Sequence, residues 1–211
     1  MADIAAESAP PRGEVAVLVA VQSALAGRPG ALAAARALSY FGEHSIGWLA
    51  ISAIGAILQP ARRRAWLVAG AGAVAAHAAA VLIKRVVRRP RPHHPAVAVN
   101  VGTPSSLSFP SAHATSTTAA SILLARATGA PLPVMLVPPM ALSRVLLGVH
   151  YPSDVATGVV VGAVVAAIAA RIGGPLARSA TMRAVKPARG GGTSRLRGRD
   201  GRLTPAGGAS E

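Results

Sequence analysis

The sequence predicts an all-α fold, a polytopic membrane helical bundle with about five to six transmembrane helices. Hydrophobic residues make up 52% of the 211 residues, and the mean hydropathy is +0.46. Aromatic residues account for only 3%, so the apolar content is carried mostly by Ala, Val, Leu and Gly, small side chains that let helices approach closely in lipid. Long apolar runs recur along the chain as far as residue 172.

Five apolar runs are the candidate spans: residues 45–59, 65–83, 114–129, 132–149 and 155–172. Only the second and the fifth approach the roughly 20 residues that a perpendicular helix needs. We therefore expect the other runs to include flanking residues or to cross a locally thin part of the bilayer. Pro133, Pro138 and Pro139 predict a kink in the fourth span, which neighbouring helices can tolerate.

Two shorter apolar runs, residues 15–26 and 31–40, come first in the chain. The first is too short to cross a bilayer, and Arg36 interrupts the second. Both are predicted to be helices at the membrane interface, with a sixth span as the alternative. The predicted organisation is 1–44 for these interfacial helices, 45–172 for the transmembrane domain and 173–211 for a disordered basic tail.

The formal net charge of +15 is distributed unevenly along the chain. Eight basic residues follow Gly173, in a segment rich in Gly, Ser, Arg and Pro. This composition favours a solvated tail beside anionic lipid headgroups, and no nucleic acid partner is expected. The alternative from a different class is a non-catalytic membrane scaffold whose tail recruits an acidic partner or RNA. The absence of cysteine excludes disulfides, thiolate zinc sites and thiol nucleophiles.

Polar residues collect at the helix ends on one side of the predicted bundle. Because helices alternate in direction, the end of the second span, the start of the third, the end of the fourth and the start of the fifth face the same side. The residues there are Lys84, Arg85, Arg88, Arg89, Arg91, Ser111, His113, Ser143, Arg144, His150 and Asp154. Arg144 is informative, because an arginine inside a membrane bundle is costly unless it faces a polar cavity or a partner.

Two local patterns within this set are typical of phosphate chemistry. Residues 109–113, with the sequence FPSAH, open a helix whose free backbone N–H groups and positive dipole end can face an anion. Ser111 equally fits an ordinary helix N-cap. His150 lies four residues before Asp154, a spacing at which the carboxylate can fix the tautomer and leave the other ring nitrogen free as a nucleophile or base. A surface histidine beside a helix-start aspartate is the alternative.

These segments resemble the three signature blocks of the type 2 phosphatidic acid phosphatase superfamily. The matching residues are Lys84 and Arg91-Pro92, then Pro110-Ser111 and His113, and finally Ser143-Arg144, His150 and Asp154. Their order and internal spacing agree with the family's pattern over residues 84–154, and the helix pattern extends the resemblance to about residue 172. One departure is Ala112, where the family more often has Gly, a change that carries a cost if the position needs a positive φ.

The resemblance implies a catalytic mechanism that uses no metal and no cofactor. His150 would attack phosphorus and form a phosphohistidine, Asp154 would orient His150, and His113 would act as general acid before activating water. The phosphate oxygens would be held by Lys84, Arg91, Ser111 and Arg144. Because three cations would then surround one phosphoryl group, a metal is unnecessary.

Other polar residues near these blocks are predicted to act outside the catalytic step. Arg88, Arg89 and His93 are candidates for contacts with the headgroup of the substrate. His77, inside the second span, is interpreted as a buried residue that hydrogen-bonds within the bundle.

The resemblance also implies a lipid-linked phosphate as substrate, since the motifs lie at span ends, where a headgroup phosphate would sit while its lipid tail stays in the bilayer. The run from Arg91 to the serines at 105–108 resembles actinobacterial members of the family that act on a decaprenyl lipid carrying phosphoribose, for arabinan precursor synthesis. Alternatives on the same site are undecaprenyl diphosphate, phosphatidylglycerophosphate and phosphatidic acid.

Loop charges predict how the multi-pass chain sits in the cell membrane. The face opposite the motifs carries Arg62, Arg63, Arg64, Arg126, Arg171 and the basic tail. The positive-inside rule places that face and the tail in the cytoplasm, and the active site on the extracytoplasmic side. The arginines of the motif face are set aside in this comparison, because phosphate binding explains them.

Overall fold

The computed structural model describes residues 10–174, and these residues form helices and connecting loops with no β-strand among them. The α-helices are α1 (Gly13–Leu25), α2 (Ala31–Gly42), α3 (Ile46–Leu58), α4 (Arg63–Val87), α5 (Ala112–Thr128), α6 (Leu132–Leu146) and α7 (Pro152–Ile172). Two short 3₁₀ turns, Glu43–Ser45 and Pro60–Arg62, precede α3 and α4. The predicted disordered tail, 173–211, lies outside the described residues apart from its first two.

The all-α membrane bundle predicted from the sequence is confirmed. Three stretches are long and apolar enough to cross a membrane: Ala31–Leu58, Pro60–Val87 and Pro152–Ile172. The first of these joins α2 and α3, so the run predicted as an interfacial helix at 31–40 belongs to a 28-residue apolar stretch. The interfacial placement of α1 stays a prediction. Helix α6 continues through Pro138 and Pro139 and ends at Leu146, three residues before the predicted end of the fourth span.

Helix α5 is the centre of the bundle, because it packs against α4, α6 and α7. Most of its residues are small and buried, mainly Ala, Ser and Thr. Gly158 and Gly162 of α7 face it, and a Cβ at Gly162 would lie 2.4 Å from the Thr115 carbonyl oxygen. This spacing of two glycines by three residues lets two membrane helices approach at backbone distance, and it fixes the start of α7 against the start of α5.

The N-terminal helices hold the long loop between α4 and α5. Gln22 of α1 donates from Nε2 to the carbonyls of Ala98 (2.7 Å) and Leu146 (3.1 Å) and accepts from the Ala98 N–H. Arg36 of α2 donates to the Asn100 carbonyl at 2.8 Å. These side chains therefore satisfy backbone groups of Ala98 and Asn100 and hold this part of the loop against the bundle.

Candidate active site

The predicted motif residues meet around one cavity at the shared end of α4, α5, α6 and α7. Its volume is about 440 Å³. Of the residues singled out from the sequence, the lining includes Lys84, Arg85, Arg91, His113, Arg144 and His150. Ser111 and Asp154 lie behind this wall, both fully buried. Residues separated by up to 66 positions in sequence, from Lys84 to His150, thus share one concave surface.

Two cations enter the cavity from α4 and the loop that follows it. Lys84 Nζ donates to the carbonyls of Leu107 (3.0 Å) and Ser108 (2.9 Å). Arg91 donates from Nε to the Ser105 carbonyl at 2.8 Å and from Nη1 to the Val149 carbonyl at 2.6 Å. These bonds fix both side chains in place while leaving further N–H groups for an anion, since an ammonium has three donors and a guanidinium five.

Arg144 supplies the third cation and is only 2% exposed. Its Nη1 donates to Ser39 Oγ and its Nε to Ser143 Oγ, both at 3.1 Å. Its Nη2 is buried without a hydrogen-bond partner among the described residues. A buried donor of this kind is costly unless a ligand satisfies it, and a phosphate oxygen is the acceptor that matches a guanidinium.

His150 lies between Arg91 and Asp154. Arg91 Nη1 is 3.3 Å from His150 Nε2, and because a guanidinium can only donate, Nε2 must carry the lone pair. The proton is then on Nδ1, which is 3.6 Å from Asp154 Oδ2, slightly beyond hydrogen-bond distance. Asp154 is held by the Tyr151 N–H at 2.9 Å. The geometry therefore presents Nε2 as the nucleophilic atom, with the carboxylate behind the ring.

Burial sets the protonation of the groups in the loops around this site. Burial lowers the pKa of His150 to about 3, although its contact with Asp154 acts in the opposite direction. Burial also lowers the pKa of Arg91 to about 10, against the attraction of Asp154. At neutral pH, His150 is accordingly neutral with its lone pair available, and Arg91 remains a cation that can hold phosphate.

His113 also lines the cavity and is oriented by α2. Its Nε2 is 2.9 Å from the Ser39 carbonyl oxygen. A carbonyl can only accept, so Nε2 carries a proton and Nδ1 is the nitrogen left for proton exchange. Ser39 therefore contacts two members of the site, His113 through its carbonyl and Arg144 through its hydroxyl.

Comparison with known proteins agrees with this geometry. The family model of the PAP2 superfamily matches residues 64–177, just over half of the 211 residues. The chain belongs to the PAP2 superfamily. The predicted family is thereby confirmed, and all the motif residues named above fall within the matched range.

Two mycobacterial relatives are named as phosphatases. A Mycobacterium tuberculosis protein named decaprenylphosphoryl-5-phosphoribose phosphatase is 72% identical over 189 residues, which cover 90% of this chain and 97% of the relative. A Mycolicibacterium smegmatis protein of the same name is 75% identical over 148 residues, 70% of this chain and 82% of the relative. No solved structure gives a significant match. The predicted phosphatase class is confirmed by these relatives.

The second PAP2 block begins helix α5. The Ser111 hydroxyl accepts a hydrogen bond from the Ala114 N–H at 3.4 Å, as the side chain of a helix N-cap does. The N-cap alternative predicted from the sequence therefore describes this side chain. Direct contact of Ser111 with phosphate stays a prediction. Ala112 begins the helix and lines the cavity, and because a helical residue has a negative φ, alanine replaces the more usual glycine there without backbone strain.

Arg89 has a different environment from the headgroup contact predicted for it. It donates to Asp154 Oδ1 at 2.9 Å, to Ser153 Oγ at 2.7 Å and to Glu14 Oε2 at 2.7 Å. Glu14 Oε1 in turn accepts the Ser153 N–H at 2.7 Å. Arg89 thus fixes the second oxygen of Asp154 and ties α1 to the start of α7, which makes it a positioning residue within the protein.

The other candidate headgroup contacts, Arg88 and His93, are exposed. Arg88 follows the last residue of α4 and adopts the left-handed conformation with φ 53°, which turns the chain into the loop. Neither residue is among those that line the cavity in the described part of the chain. Their role in headgroup binding stays a prediction.

Sequence reasoning missed one whole wall of the cavity. Ser39, Glu43 and His44 come from the end of α2 and the turn after it, and His77 comes from the middle of α4. The sequence predicts that His77 hydrogen-bonds within the bundle, yet it lines the cavity and its Nδ1 has no partner among the described residues. The one available signal was Glu43, a carboxylate beside a long apolar run, which is costly in a membrane protein unless it has a function.

Proposed function

We propose that this chain removes the 5-phosphate from decaprenylphosphoryl-5-phosphoribose, acting as a membrane phosphatase without a metal. The observation that carries the proposal is the identity of 72% over 90% of the chain to a phosphatase named for that substrate. The cavity supports it, because cationic side chains and the imidazoles of His113 and His150 line a space large enough for a sugar phosphate.

The chemistry follows from the two histidines. His150 Nε2 attacks phosphorus in line, the bond from phosphorus to the ribose 5-oxygen breaks, and His113 donates a proton to that oxygen. A phosphohistidine and the dephosphorylated lipid result. In the second step His113 takes a proton from water, the water oxygen attacks phosphorus, and the bond to His150 breaks to release inorganic phosphate.

The cations act on the charge that moves during both steps. Lys84, Arg91 and Arg144 are already oriented by carbonyl and hydroxyl acceptors, so they need no rearrangement when negative charge builds up on the phosphoryl oxygens. Asp154, itself held by Arg89, keeps the proton of His150 on Nδ1 and stabilises the ring when it becomes positive.

We infer further that the active site opens on the extracytoplasmic side and that the tail is cytoplasmic. The positive-inside rule supports this orientation, because Arg62, Arg63, Arg64 and Arg126 lie at the end of the bundle opposite the cavity. Substrate phosphate would then sit at the outer headgroup level, with the decaprenyl chain in the bilayer.

Turnover of competing lipids tests the proposed substrate. Purified protein in detergent with EDTA should show a kcat/KM for decaprenylphosphoryl-5-phosphoribose at least about tenfold above the values for undecaprenyl diphosphate, phosphatidylglycerophosphate and phosphatidic acid. Phosphate release measures all four. A preference for any of the other three lipids would contradict the substrate assignment, and loss of activity in EDTA would contradict the absence of a metal.

The same assay separates the enzyme from the scaffold alternative. A chain that ends at Gly174 keeps every residue of the cavity and lacks the basic tail. We expect it to retain the activity of the full chain. A full chain that turns over none of the four lipids would instead favour a non-catalytic role.

A further inference from the structure

The cavity has two chemically different ends. The phosphate end carries Lys84, Arg91 and Arg144, whereas the other end is formed by Glu43, His44 and His77. Within residues 10–174, Glu43 is the only carboxylate that lines the cavity. Because a carboxylate repels phosphate, Glu43 is better suited to a part of the substrate that is not phosphate.

The second end lies deeper in the bundle than the phosphate end. His77 and Lys84 lie on one face of α4 with Val81 between them, and at ~1.5 Å per residue they are about 10 Å apart along the helix. Ser45, next to His44, donates to the Ala73 carbonyl near the middle of α4 at 3.4 Å. A lipid whose terminal phosphate sits beside Lys84 would therefore extend past Glu43 and His77 on its way into the bilayer.

The side chains of Glu43 and His77 have hydrogen-bonding atoms that no group in the described part of the chain uses. No hydrogen bond to the Glu43 carboxylate is found among the described side chains and backbone groups, and His44 Nδ1 is 3.8 Å from it, too far for one. His77 Nδ1 is buried and also has no partner in that part of the chain. An ionised carboxylate can only accept, so its natural partners in a neutral ligand are hydroxyl groups.

The backbone that presents Glu43 is strained. His44 and Ser45 both adopt left-handed conformations, with φ 47° and 62°, although neither is glycine. Consecutive residues of this kind are uncommon and persist where surrounding packing enforces them, often at ligand sites. The turn interrupts the apolar stretch Ala31–Leu58 and brings a carboxylate into the cavity at membrane depth.

We propose that Glu43 and His77 form a hydroxyl-binding subsite that recognises the sugar between the two phosphates of the substrate. Glu43 accepts hydrogen bonds from ring hydroxyls of the pentose, and His77 Nδ1 bonds to a neighbouring oxygen. This inference rests on the proposed function, because among the four lipids compared only the phosphoribosyl lipid carries a pair of ring hydroxyls between its two phosphates. It makes Glu43 a residue that selects the substrate, while the chemistry stays with the histidines.

Glu43→Gln tests the subsite, since the amide keeps the shape and loses the charge and one acceptor oxygen. We expect kcat/KM for decaprenylphosphoryl-5-phosphoribose to fall about tenfold to a hundredfold. For phosphatidic acid, which has no sugar, we expect a change of less than about twofold. Tyr40→Phe is the matched control, because Tyr40 lies on α2 and is 68% exposed, away from the cavity, and it should alter neither value.

Substrate analogues give a second measurement that does not depend on how well the variant folds. With the unmodified protein, at least one analogue lacking a ribose 2- or 3-hydroxyl should lose about tenfold in kcat/KM. Glu43→Gln should show no additional loss on that same analogue, because the interaction has already been removed.

The outcomes separate the two proposals. Equal losses on the sugar-bearing and sugar-free lipids, or no loss on either, would overturn the subsite. Full activity of the unmodified protein on both deoxy analogues would overturn it as well. An unmodified protein with no preference for the phosphoribosyl lipid over phosphatidic acid would instead overturn the proposed function on which the subsite depends.

Discussion

His150→Ala is expected to lower kcat for the lipid phosphate by at least about 10⁴-fold. The substitution removes His150 Nε2, the ring nitrogen that carries its lone pair 3.3 Å from Arg91 Nη1. The cations that bind phosphate remain, so KM should change much less than kcat. Initial rates of phosphate release in detergent with EDTA measure both.

His150→Gln serves as the companion variant, because it keeps a side chain of similar size in a position that is only 3% exposed. Both variants should unfold in detergent within a few degrees of the unmodified protein. A fully active His150→Ala protein would mean that water attacks phosphorus directly or that another residue is the nucleophile.

Arg144→Lys is expected to lower kcat/KM by about 10²- to 10³-fold, even though the positive charge is kept. The guanidinium makes two hydrogen bonds, from Nη1 to Ser39 and from Nε to Ser143, and its Nη2 has no partner among the described residues, which leaves that donor for a phosphate oxygen. A lysine carries all its donors on one nitrogen, whereas a guanidinium spreads them over three. The lysine therefore cannot reach both serines and a phosphate oxygen at once.

Arg63→Lys is the control for this change, since Arg63 begins α4 at the opposite end of the bundle and is exposed. It should leave kcat/KM unchanged. If Arg144→Lys retained more than about half of the activity, the directed Nη2 donor would have no part in holding the transition state.

Much of the site was predictable because its residues carry their own sequence signals. Charged and polar residues at the ends of apolar runs are costly in a membrane, so Lys84, His113, Arg144 and His150 stood out, and alternation of helix direction put them on one side. The structure brings these four residues together on one cavity, and their catalytic and binding roles stay predictions. The helix bounds followed from hydrophobicity to within a few residues, as at 45–59 for a helix observed at Ile46–Leu58.

The missed features depend on contacts between segments far apart in the chain. Ser39 is an ordinary residue within an apolar run, and its role arises only when α2 packs beside α5 and α6. Arg89 was one of several arginines in a basic stretch, and nothing local distinguished the one that pairs with Glu14, 75 positions earlier. Such pairings follow from tertiary packing and leave no periodic pattern in the sequence.

The deep wall of the cavity was missed for a related reason. The sequence shows an apolar run from about residue 45. The left-handed residues at its start, His44 and Ser45, are not glycines, so the sequence does not indicate a turn there. His77 looked like an internal hydrogen-bonding residue because the cavity that reaches it cannot be seen from α4 alone. Only the fold reveals that Glu43 and His77 share one surface.

The covalent intermediate is the most direct test of the mechanism. Unmodified protein would be mixed with decaprenylphosphoryl-5-phosphoribose labelled in its 5-phosphate, quenched within milliseconds in alkali, digested and analysed by mass spectrometry. We predict an acid-labile phosphoryl group on His150 that disappears on longer incubation as labelled phosphate is released. A label on His113 or on any other residue, or rapid turnover with no labelled protein at saturating substrate, would contradict a nucleophilic His150.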